Sequence, residues 1–291
     1  MSIQQDSLEP DVRHLVGIGL PGLTVRTVTR LGAGLDNVAY DVNGELVVRI
    51  AREPESVRRE AALLARVGEV SPLPVPEPMF VLEEHHCLAY RKVPGTPLLE
   101  VPIDDRGRVS QPVGAQLGAF LALLQTSGTD RWTDLVDVDD EPLADWRDEA
   151  ADHVTELAEN LTADHRRRIE SFLRDPSPEP SRELVFSHND LGVEHVLVAP
   201  GNDKVVGVID WSDAALCDPA RDFGLILRDL GPAALDAALG RHPAGDHLRD
   251  RAWFYARCAL LEDLHYGLTT NRPAYADKSL AALDRLFAPT S

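Results

Sequence analysis

Apolar and polar positions alternate along the first third of the chain, a pattern that predicts antiparallel strands. One stretch, residues 55–70, instead repeats its apolar positions at helical spacing, and Pro54 stands where a helix can begin. The Pro-rich residues 71–78 end this helix. The predicted strands cover residues 24–30, 38–42, 45–50, 79–83 and 87–93.

After Pro94 the apolar positions follow helical spacing, and this change marks a boundary between two lobes. Short strands are predicted only at residues 184–186, 195–199 and 205–209. The predicted helices cover residues 113–125, 144–161, 164–174, 219–230, 247–267 and 274–287. We therefore predict an α+β fold with two lobes: residues 1–93 form an antiparallel sheet with one helix, and residues 94–291 are mostly helical.

The charge of the chain limits the partners that we expect. Its 29 Lys and Arg residues stand against 48 Asp and Glu residues, and the net charge of -19 repels nucleic acid and anionic membranes but attracts cations. The same acidity is also consistent with solubility alone. Three scattered cysteines in no metal-ligand spacing, and no apolar stretch near the roughly 20 residues of a membrane span, predict a soluble cytoplasmic protein without disulfides.

The strongest chemical signal is the segment SHNDLGVEHVLV, residues 187–198, which is followed by VVGVIDWSDA, residues 205–214. Each segment places acidic residues at a turn beside a short apolar strand, where active-site residues are often found. Asp190 is a candidate general base for a hydroxyl acceptor, and His188 is placed to brace the turn. Asp210 is a candidate metal ligand, because Mg²⁺ prefers oxygen. Together these residues predict phosphoryl transfer.

The segments HNDLGVEHVLV and IDWSDAALCDPARDF resemble the aminoglycoside phosphotransferase family, whose members share a bilobal protein-kinase-like fold. The resemblance extends from about Val25 to the C-terminal helices. It implies that Asp190 is the catalytic base and that Asp210 binds the metal. It further implies that Asp218 and Asp222 support the catalytic loop.

His195 departs from the usual pattern of the family, which has a metal-binding Asn at this place. A neutral imidazole offers nitrogen, whereas Mg²⁺ prefers oxygen ligands in an octahedron. Direct ligation, ligation through water and a purely hydrogen-bonding role therefore all stay open for His195. A histidine here resembles two branches of the family, the 2''-aminoglycoside and the macrolide 2'-phosphotransferases.

The first lobe carries a Gly-rich segment, LGAGLDNVAYDV, residues 31–42. It is predicted to form a strand, a turn and a strand that cover the nucleotide phosphates, with Gly32, Gly34 and Asn37 at the turn. The resemblance places the hinge that meets the purine base near Arg91 and Val93. It does not distinguish ATP from GTP.

By the same resemblance, Arg49 takes the place of a phosphate-binding Lys, and Glu60 on the following helix is its ion-pair partner. Arginine keeps the positive charge and can bind two oxygens at once, although its geometry differs from that of lysine. Arg52 is a rival for this role, and a surface salt bridge is the alternative for both arginines.

The acceptor is expected to meet polar residues of the second lobe. The candidates are Asp213, Glu262, Asp263 and His265. Residues 134–159 are strongly acidic and are interpreted either as a further wall of the acceptor site or as a solvated face.

These features predict an enzyme that uses Mg²⁺ to transfer the γ-phosphate of ATP or GTP to a hydroxyl of a small amine-bearing molecule. An aminoglycoside antibiotic is the first expectation for this cationic acceptor, and a macrolide is the second. A metabolic small-molecule kinase shares every motif. A non-catalytic kinase-like binding module is the alternative that His195 and Arg49 favour, and the oligomeric state stays open.

Overall fold

We describe a computed structural model of the chain over residues 11–33, 37–52, 54–201 and 203–288. It divides into two compact units. The first contains the chain up to Glu69 together with Val75–Val93, and the second contains Val70–Pro74 and Pro94–Ser291.

A five-stranded antiparallel sheet forms the body of the first unit, with the strand order β1-β2-β3-β5-β4. Two helices accompany it, α1 (Val12–Gly19) and α2 (Pro54–Val70). The strands are β1 (Val28–Ala33), β2 (Asn37–Val42), β3 (Leu46–Ala51), β4 (Glu77–Leu82) and β5 (Cys87–Arg91).

The helix α1 is absent from the sequence predictions, yet it has a clear start. The Asp11 side chain accepts hydrogen bonds from the backbone N–H groups of Arg13 and His14, which satisfies two donors that the first turn leaves free. Val16 of this helix is completely buried against the sheet. This helix therefore closes one side of the core of the first unit.

The second unit is mostly helical. Its helices are α3 (Ile103–Gln125), α4 (Leu143–Glu156), α5 (Ala163–Arg174), α6 (Ala220–Leu230), α7 (Pro232–Leu239), α8 (Arg249–Thr269) and α9 (Pro273–Leu286). Its strands are β6 (Thr96–Pro97), β7 (Asp137–Asp139), β8 (Val185–Ser187), β9 (Val196–Val198), β10 (Val205–Val208) and β11 (Ala215–Cys217). The predicted α+β architecture is confirmed, although α7, β6, β7 and β11 were not predicted.

Two small sheets of the second unit position the motif segments. One has the order β10-β9-β6, and the other has the order β7-β11-β8, in which β7 runs parallel to β11. The turn that contains Asp190 follows β8, and Asp210 follows β10. The N–H of Ile209 donates to the carbonyl of His195 at 3.0 Å, so the two segments are joined by their backbones.

The helix α3 lies close against α7 because it carries glycines at the contact. A Cβ atom at Gly114 would come within 2.4 Å of the Ala234 carbonyl oxygen, and one at Gly118 within 2.2 Å of the Ala238 carbonyl oxygen. The sequence predicts only residues 113–125 of this helix, which in fact starts ten residues earlier, at Ile103. The close contact supports the buried helix α6, which carries residues of the candidate site.

Candidate active site

The candidate base Asp190 lies on the turn after β8 and is partly open to solvent, with 39% of its side chain exposed. Burial of the rest raises the pKa of this carboxyl group to about 6, and the nearby charges of Glu194 and Asp213 act in the same direction. His195 opposes them. A carboxylate with this pKa is ionised at neutral pH and is basic enough to assist removal of a hydroxyl proton.

His188 is completely buried and joins the two motif segments. Its Nε2 donates to the carbonyl of Ile209 at 3.0 Å, and its Nδ1 accepts from the backbone N–H of Asp190 at 3.3 Å. Burial and the neighbouring His195 lower the pKa of His188 to about 3. The ring is therefore a neutral brace between the turn and the strand that leads to Asp210.

Asp222, in the first turn of α6, holds the same turn from the other side. Its two carboxylate oxygens accept the backbone N–H groups of His188 at 3.0 Å and Asn189 at 2.9 Å. Burial raises the pKa of Asp222 to about 7, although the two N–H donors act to lower it. Asp218 supports the turn indirectly, because it fixes the start of α6. Its carboxylate accepts the backbone N–H of Ala220 and pairs with Arg251.

His195 lies between the candidate base and the candidate metal ligand. Its Nδ1 is 2.8 Å from the carbonyl oxygen of Asp190 and 3.3 Å from a carboxylate oxygen of the same residue. Its Nε2 is 3.8 Å from a carboxylate oxygen of Asp210. Burial lowers the pKa of His195, but the charges of Asp190, Asp210 and Glu194 raise it above its ordinary value. In the neutral form that metal binding requires, donation through Nδ1 leaves the lone pair of Nε2 on the side of Asp210.

Asp210 is held in a left-handed backbone conformation, with φ of 61°. This conformation is costly for a residue other than glycine and is characteristic of functional sites. Of its side chain, 44% is exposed, and one carboxylate oxygen accepts a hydrogen bond from the Ser212 hydroxyl at 2.7 Å. The turn thus presents a carboxylate beside the imidazole of His195.

The Asp210 and His195 pair offers one oxygen and one nitrogen donor toward the same point. Adjacent ligands of an octahedral ion, each about 2.1 Å from it, lie about 3.0 Å apart, so the 3.8 Å between these two donor atoms must shorten for both to bind one Mg²⁺ directly. Among the described residues, no group of three or more His, Cys, Asp or Glu side chains is arranged to hold a metal. This is compatible with Mg²⁺, which is often bound through one or two protein ligands together with substrate phosphates.

A buried network of five charged side chains lies behind the turn that carries Asp190. Lys278 of α9 is at its centre, with Nζ 2.9 Å from carboxylate oxygens of both Glu194 and Asp263. Arg228 forms two 2.9 Å bonds with Asp229, whose carboxylate also accepts the backbone N–H of Val193 at 3.1 Å. The network therefore anchors residues 193 and 194, next to His195, to α6, α8 and α9.

Asp263 was predicted as an acceptor-binding residue, and its position corrects that prediction. The residue is only 9% exposed, and its carboxylate faces Lys278 and Arg228. It belongs to the buried network. The preceding residue, Glu262, is exposed on the same helix, because successive residues of a helix point about 100° apart.

A second group of carboxylates is exposed, and one of them, Glu262, interacts by charge with the candidate base. Partial desolvation raises the pKa of Glu262, and the charges of Glu149 and Asp190 contribute to this shift. Partial desolvation likewise raises the pKa of Glu141, with Glu149 and Asp145 among the contributing charges. We refer to Glu141, Asp145, Glu149 and Glu262 as the acidic surface.

The two remaining acceptor candidates lie in different settings. Asp213 is exposed after β10, close enough to affect the pKa of Asp190. His265 is part of a surface contact between α8 and α4: its Nε2 is 2.6 Å from a carboxylate oxygen of Glu156, and its ring stacks on that of His153. The second arrangement leaves less of the imidazole available to an acceptor.

In the first unit, the predicted pair of Arg49 and Glu60 is present. Nη1 of Arg49 on β3 is 2.5 Å from a carboxylate oxygen of Glu60 on α2, and both side chains are largely buried. Arg52 is exposed at the end of β3. The pairing of Arg49 with Glu60 therefore favours Arg49 over Arg52 as the candidate for binding a nucleotide phosphate.

The other nucleotide candidates lie in or next to strands β1, β2 and β5, except Gly34. Gly32 is in β1 and Asn37 begins β2, while Gly34 lies outside the described residues. Arg91 ends β5, where its Nε is 3.2 Å from a carboxylate oxygen of Glu77, and Val93 is buried.

Two supporting groups were not found from the sequence. Arg221 pairs with Asp139, which is 82 residues away, and Lys278 is 84 residues from Glu194. Lys278 carries no local signal, since it follows Asp277 and a lysine is almost never fully buried unless it is paired. Asp139 carries no local signal, since it is one of many acids in residues 134–159.

No helix of the described chain combines the length and apolar character that spanning a membrane requires.

A sequence relative supports the motif resemblance. The chain is 28% identical over 159 residues to viomycin phosphotransferase of Streptomyces vinaceus. This match covers 54% of the chain and 55% of the relative, so it spans about half the length of each.

Solved structures share the fold. The complex of APH(2'')-IIIa with GDP and kanamycin has a TM-score of 0.69 at 21% identity, with 95% of this chain and 98% of that chain covered. A type I macrolide 2'-phosphotransferase has a TM-score of 0.62 at 22% identity over the whole of both chains. The apoenzyme of a macrolide 2'-phosphotransferase from Brachybacterium faecium has a TM-score of 0.62 at 24% identity, with 96% and 98% covered. This confirms the predicted kinase-like fold.

A family model covers most of the chain. It describes the phosphotransferase enzyme family (APH) and matches residues 27–260, which include both motif segments and most of each unit. The protein therefore belongs to the phosphotransferase enzyme family.

Proposed function

We propose that this protein transfers the γ-phosphate of ATP or GTP to a hydroxyl of an amine-bearing antibiotic, with an aminoglycoside as the first candidate acceptor. One observation carries the proposal: Asp190 and Asp210, from separate segments, lie on either side of one imidazole. The distances are 3.3 Å from His195 Nδ1 to Asp190 and 3.8 Å from His195 Nε2 to Asp210. Phosphoryl transfer needs a base and a metal-binding carboxylate close together.

Asp190 would orient the acceptor hydroxyl and take its proton. The partly exposed carboxylate can reach an acceptor, whereas its backbone is fixed by bonds to buried groups. Neutral His188 holds the turn without adding a charge that would weaken the base. General-base assistance of this kind contributes typically 10²- to 10⁴-fold to the rate.

Asp210 and His195 would hold Mg²⁺. When bound, the ion would neutralise charge on the nucleotide phosphates. Asp210 would supply an oxygen ligand, and His195 would supply its Nε2, the ring nitrogen that the hydrogen bond of Nδ1 leaves available. In the first unit, the buried pair of Arg49 and Glu60 is suited to support a nucleotide phosphate.

The acidic surface favours a cationic acceptor. An ammonium group about 4 Å from one carboxylate gains on the order of 4 kcal/mol at an effective dielectric near 20, before desolvation. Glu149 and Glu262 are both exposed, and the charge of Asp190 acts on Glu262. The chain is similar to viomycin phosphotransferase and to a phosphotransferase solved in complex with kanamycin. Amine-bearing antibiotics are therefore the first compounds to test.

An acceptor screen tests this function. The purified protein is assayed with Mg²⁺ and either ATP or GTP against kanamycin, gentamicin, viomycin and a macrolide, and nucleotide binding is measured in parallel by thermal shift. Turnover with an amine-bearing acceptor that is lost in Asp190→Asn supports the proposal. Nucleotide binding without transfer to any acceptor would instead support a non-catalytic binding module.

A further inference from the structure

The turn that carries the candidate base contains a second residue in a left-handed conformation. Asn189, directly before Asp190, has φ of 67°. A residue other than glycine pays about 1 kcal/mol for this conformation, although Asn tolerates it better than most. Contacts around Asn189 must offset this cost: its backbone N–H is bonded to Asp222, and its side chain makes further bonds.

Both polar groups of the Asn189 side chain are bound by one ion pair. Its Oδ1 accepts from Nη1 of Arg221 at 3.1 Å, and its Nδ2 donates to a carboxylate oxygen of Asp139 at 3.2 Å. Arg221 and Asp139 are themselves joined by two bonds, one of them at 2.8 Å from Nη2 to Oδ1. Three side chains from β7, α6 and the turn therefore form a closed set, the Asn189 clamp.

The guanidinium group of Arg221 is itself held rigidly. The residue is only 4% exposed, and its charged carbon lies 4.7 Å from the ring centre of Trp146 on α4 and 5.7 Å from that of Tyr255 on α8. Burial opposes ionisation of Asp139, but its bonds to Arg221 lower its pKa, so the pair is charged at neutral pH. Its own helix α6 and its contacts with β7, α4 and α8 thus fix the orientation of the Arg221 guanidinium group.

We propose that the Asp139–Arg221 ion pair is a positioning device for the base: it keeps Asn189 in the left-handed conformation and so sets the direction of the Asp190 carboxylate. The inference rests on the proposed function, in which Asp190 is the base. The two residues act through Asn189. A misplacement of about 1 Å at a catalytic group can cost roughly 10²-fold in rate, so the clamp has a measurable effect.

Arg221→Lys tests the clamp, because lysine keeps the charge but loses the two-pronged geometry. We expect kcat to fall about tenfold or more, while KM for the nucleotide and for the acceptor changes by less than about twofold. Asn189→Gly is the companion variant, since glycine reaches positive φ without a side chain to hold. In the Asn189→Gly background, Arg221→Lys should lower kcat by less than about twofold, because the clamp has already been removed.

Arg257→Lys is the matched control. Arg257 of α8 is also partly buried: its Nε donates to the carbonyl of Leu286 at 2.9 Å, and its guanidinium carbon lies 5.3 Å from the ring centres of Phe172 and Trp253. Any effect of this variant should multiply with that of Asn189→Gly. If Arg221→Lys lowers kcat by the same factor in the Asn189→Gly background as in the unmodified protein, Arg221 is only structural and the proposal is overturned.

Amide hydrogen exchange without substrate separates this inference from the proposed function. The N–H groups of His188 and Asn189 are bonded to Asp222, and that of Asp190 to His188. We expect Arg221→Lys, but not Arg257→Lys, to speed exchange at these three amides while other core amides stay protected. Unchanged exchange would overturn the clamp. Faster exchange in a protein that phosphorylates no acceptor would support the clamp and reject the proposed function.

Discussion

The turn that carries Asp190 and the helix α4 are both rich in charged residues, but the two sets differ in their burial and in their ion-pair partners. Beside the turn, Glu194 and Asp229 are ion-paired with Lys278 or Arg228 and are almost completely buried. On α4, Asp145, Asp148 and Asp152 are exposed, and within the described ranges no Lys or Arg forms an ion pair with them. The first set of charges has its partners inside the protein, whereas the second set has no lysine or arginine partner among the residues that the structure describes.

This difference separates two tasks. Charges that are paired and buried fix geometry, because removing one partner leaves another charge without compensation. Exposed carboxylates remain available to a cation from solution and contribute little to stability. We therefore expect substitutions at the turn and its supports to change kcat or folding, and substitutions on the acidic surface to change KM for the acceptor.

The largest effect is expected at the base. Asp190→Asn removes the proton acceptor but keeps the size of the side chain, so kcat should fall roughly 10²- to 10⁴-fold. Nucleotide affinity, measured by thermal shift or calorimetry, should stay within about threefold of that of the unmodified protein. A fall in kcat of less than about fivefold would remove Asp190 from the role of base.

The next effect concerns the buried network. In Lys278→Met, Arg228 is the remaining cation of the network for the three carboxylates of Glu194, Asp229 and Asp263. Because breaking a buried ion pair costs about 3–5 kcal/mol, we expect the free energy of unfolding to fall by about this amount. The free energy of unfolding from urea titration measures this loss. Lys204→Met is the control, since Lys204 is exposed, and a surface change of this kind is expected to stay within about 0.5 kcal/mol. Equal effects of the two variants would contradict the role of Lys278.

A smaller effect is expected on the acidic surface. Glu149→Gln combined with Glu262→Gln should raise KM for a polycationic acceptor by about tenfold, with kcat nearly unchanged, and the difference should shrink as salt is added. Glu170→Gln on α5 is the control, because Glu170 is also an exposed helical carboxylate. If KM responds equally to Glu170→Gln, the effect is one of net charge alone.

The last expected effect is a pH dependence of stability at His188. The pKa of this buried ring is about 3 in the folded protein, below the value of about 6.5 in an unfolded chain. Between these pH values the unfolded chain binds more protons, so the stability that His188 contributes is complete above about pH 6.5 and is lost as the pH falls.

Comparison with His188→Gln isolates this contribution. Glutamine has no such titration, and the contributions of Asp190 and Asp222 largely cancel in the difference. The stability of the unmodified protein relative to His188→Gln should therefore fall with a slope approaching 1.4 kcal/mol per pH unit between pH 6 and pH 4. A difference that does not change with pH would mean that the ring has the same pKa in the folded protein as in the unfolded chain.

The sequence was sufficient for the parts of the site that depend on local order. Asp190, His195 and Asp210 occur in two segments whose strands and turns follow from short-range pattern, and Arg49 and Glu60 follow from one strand and the next helix. The Asn189 clamp could not be found in this way, because Asp139 reaches it only through the parallel pairing of β7 with β11, which lies more than seventy residues further along the chain.

The errors have similar physical causes. Asp263 was grouped with Glu262 because both are acidic, whereas the helical rotation between neighbours sends one inward and the other outward. The start of α3 was placed too late because Gly107 and Pro112 weaken the helical pattern, although its close contact with α7 stabilises the whole helix.

The central claim is tested most directly by following the labelled γ-phosphate in a single turnover. ATP or GTP with a labelled γ-phosphate is mixed with excess protein, Mg²⁺ and an amine-bearing antibiotic from the screen, and the products are separated and identified by mass spectrometry. We expect the label on a hydroxyl oxygen of the antibiotic, with Asp190→Asn slower by at least about 10²-fold. Label that appears only as free phosphate, or at the same rate in Asp190→Asn, would contradict the account.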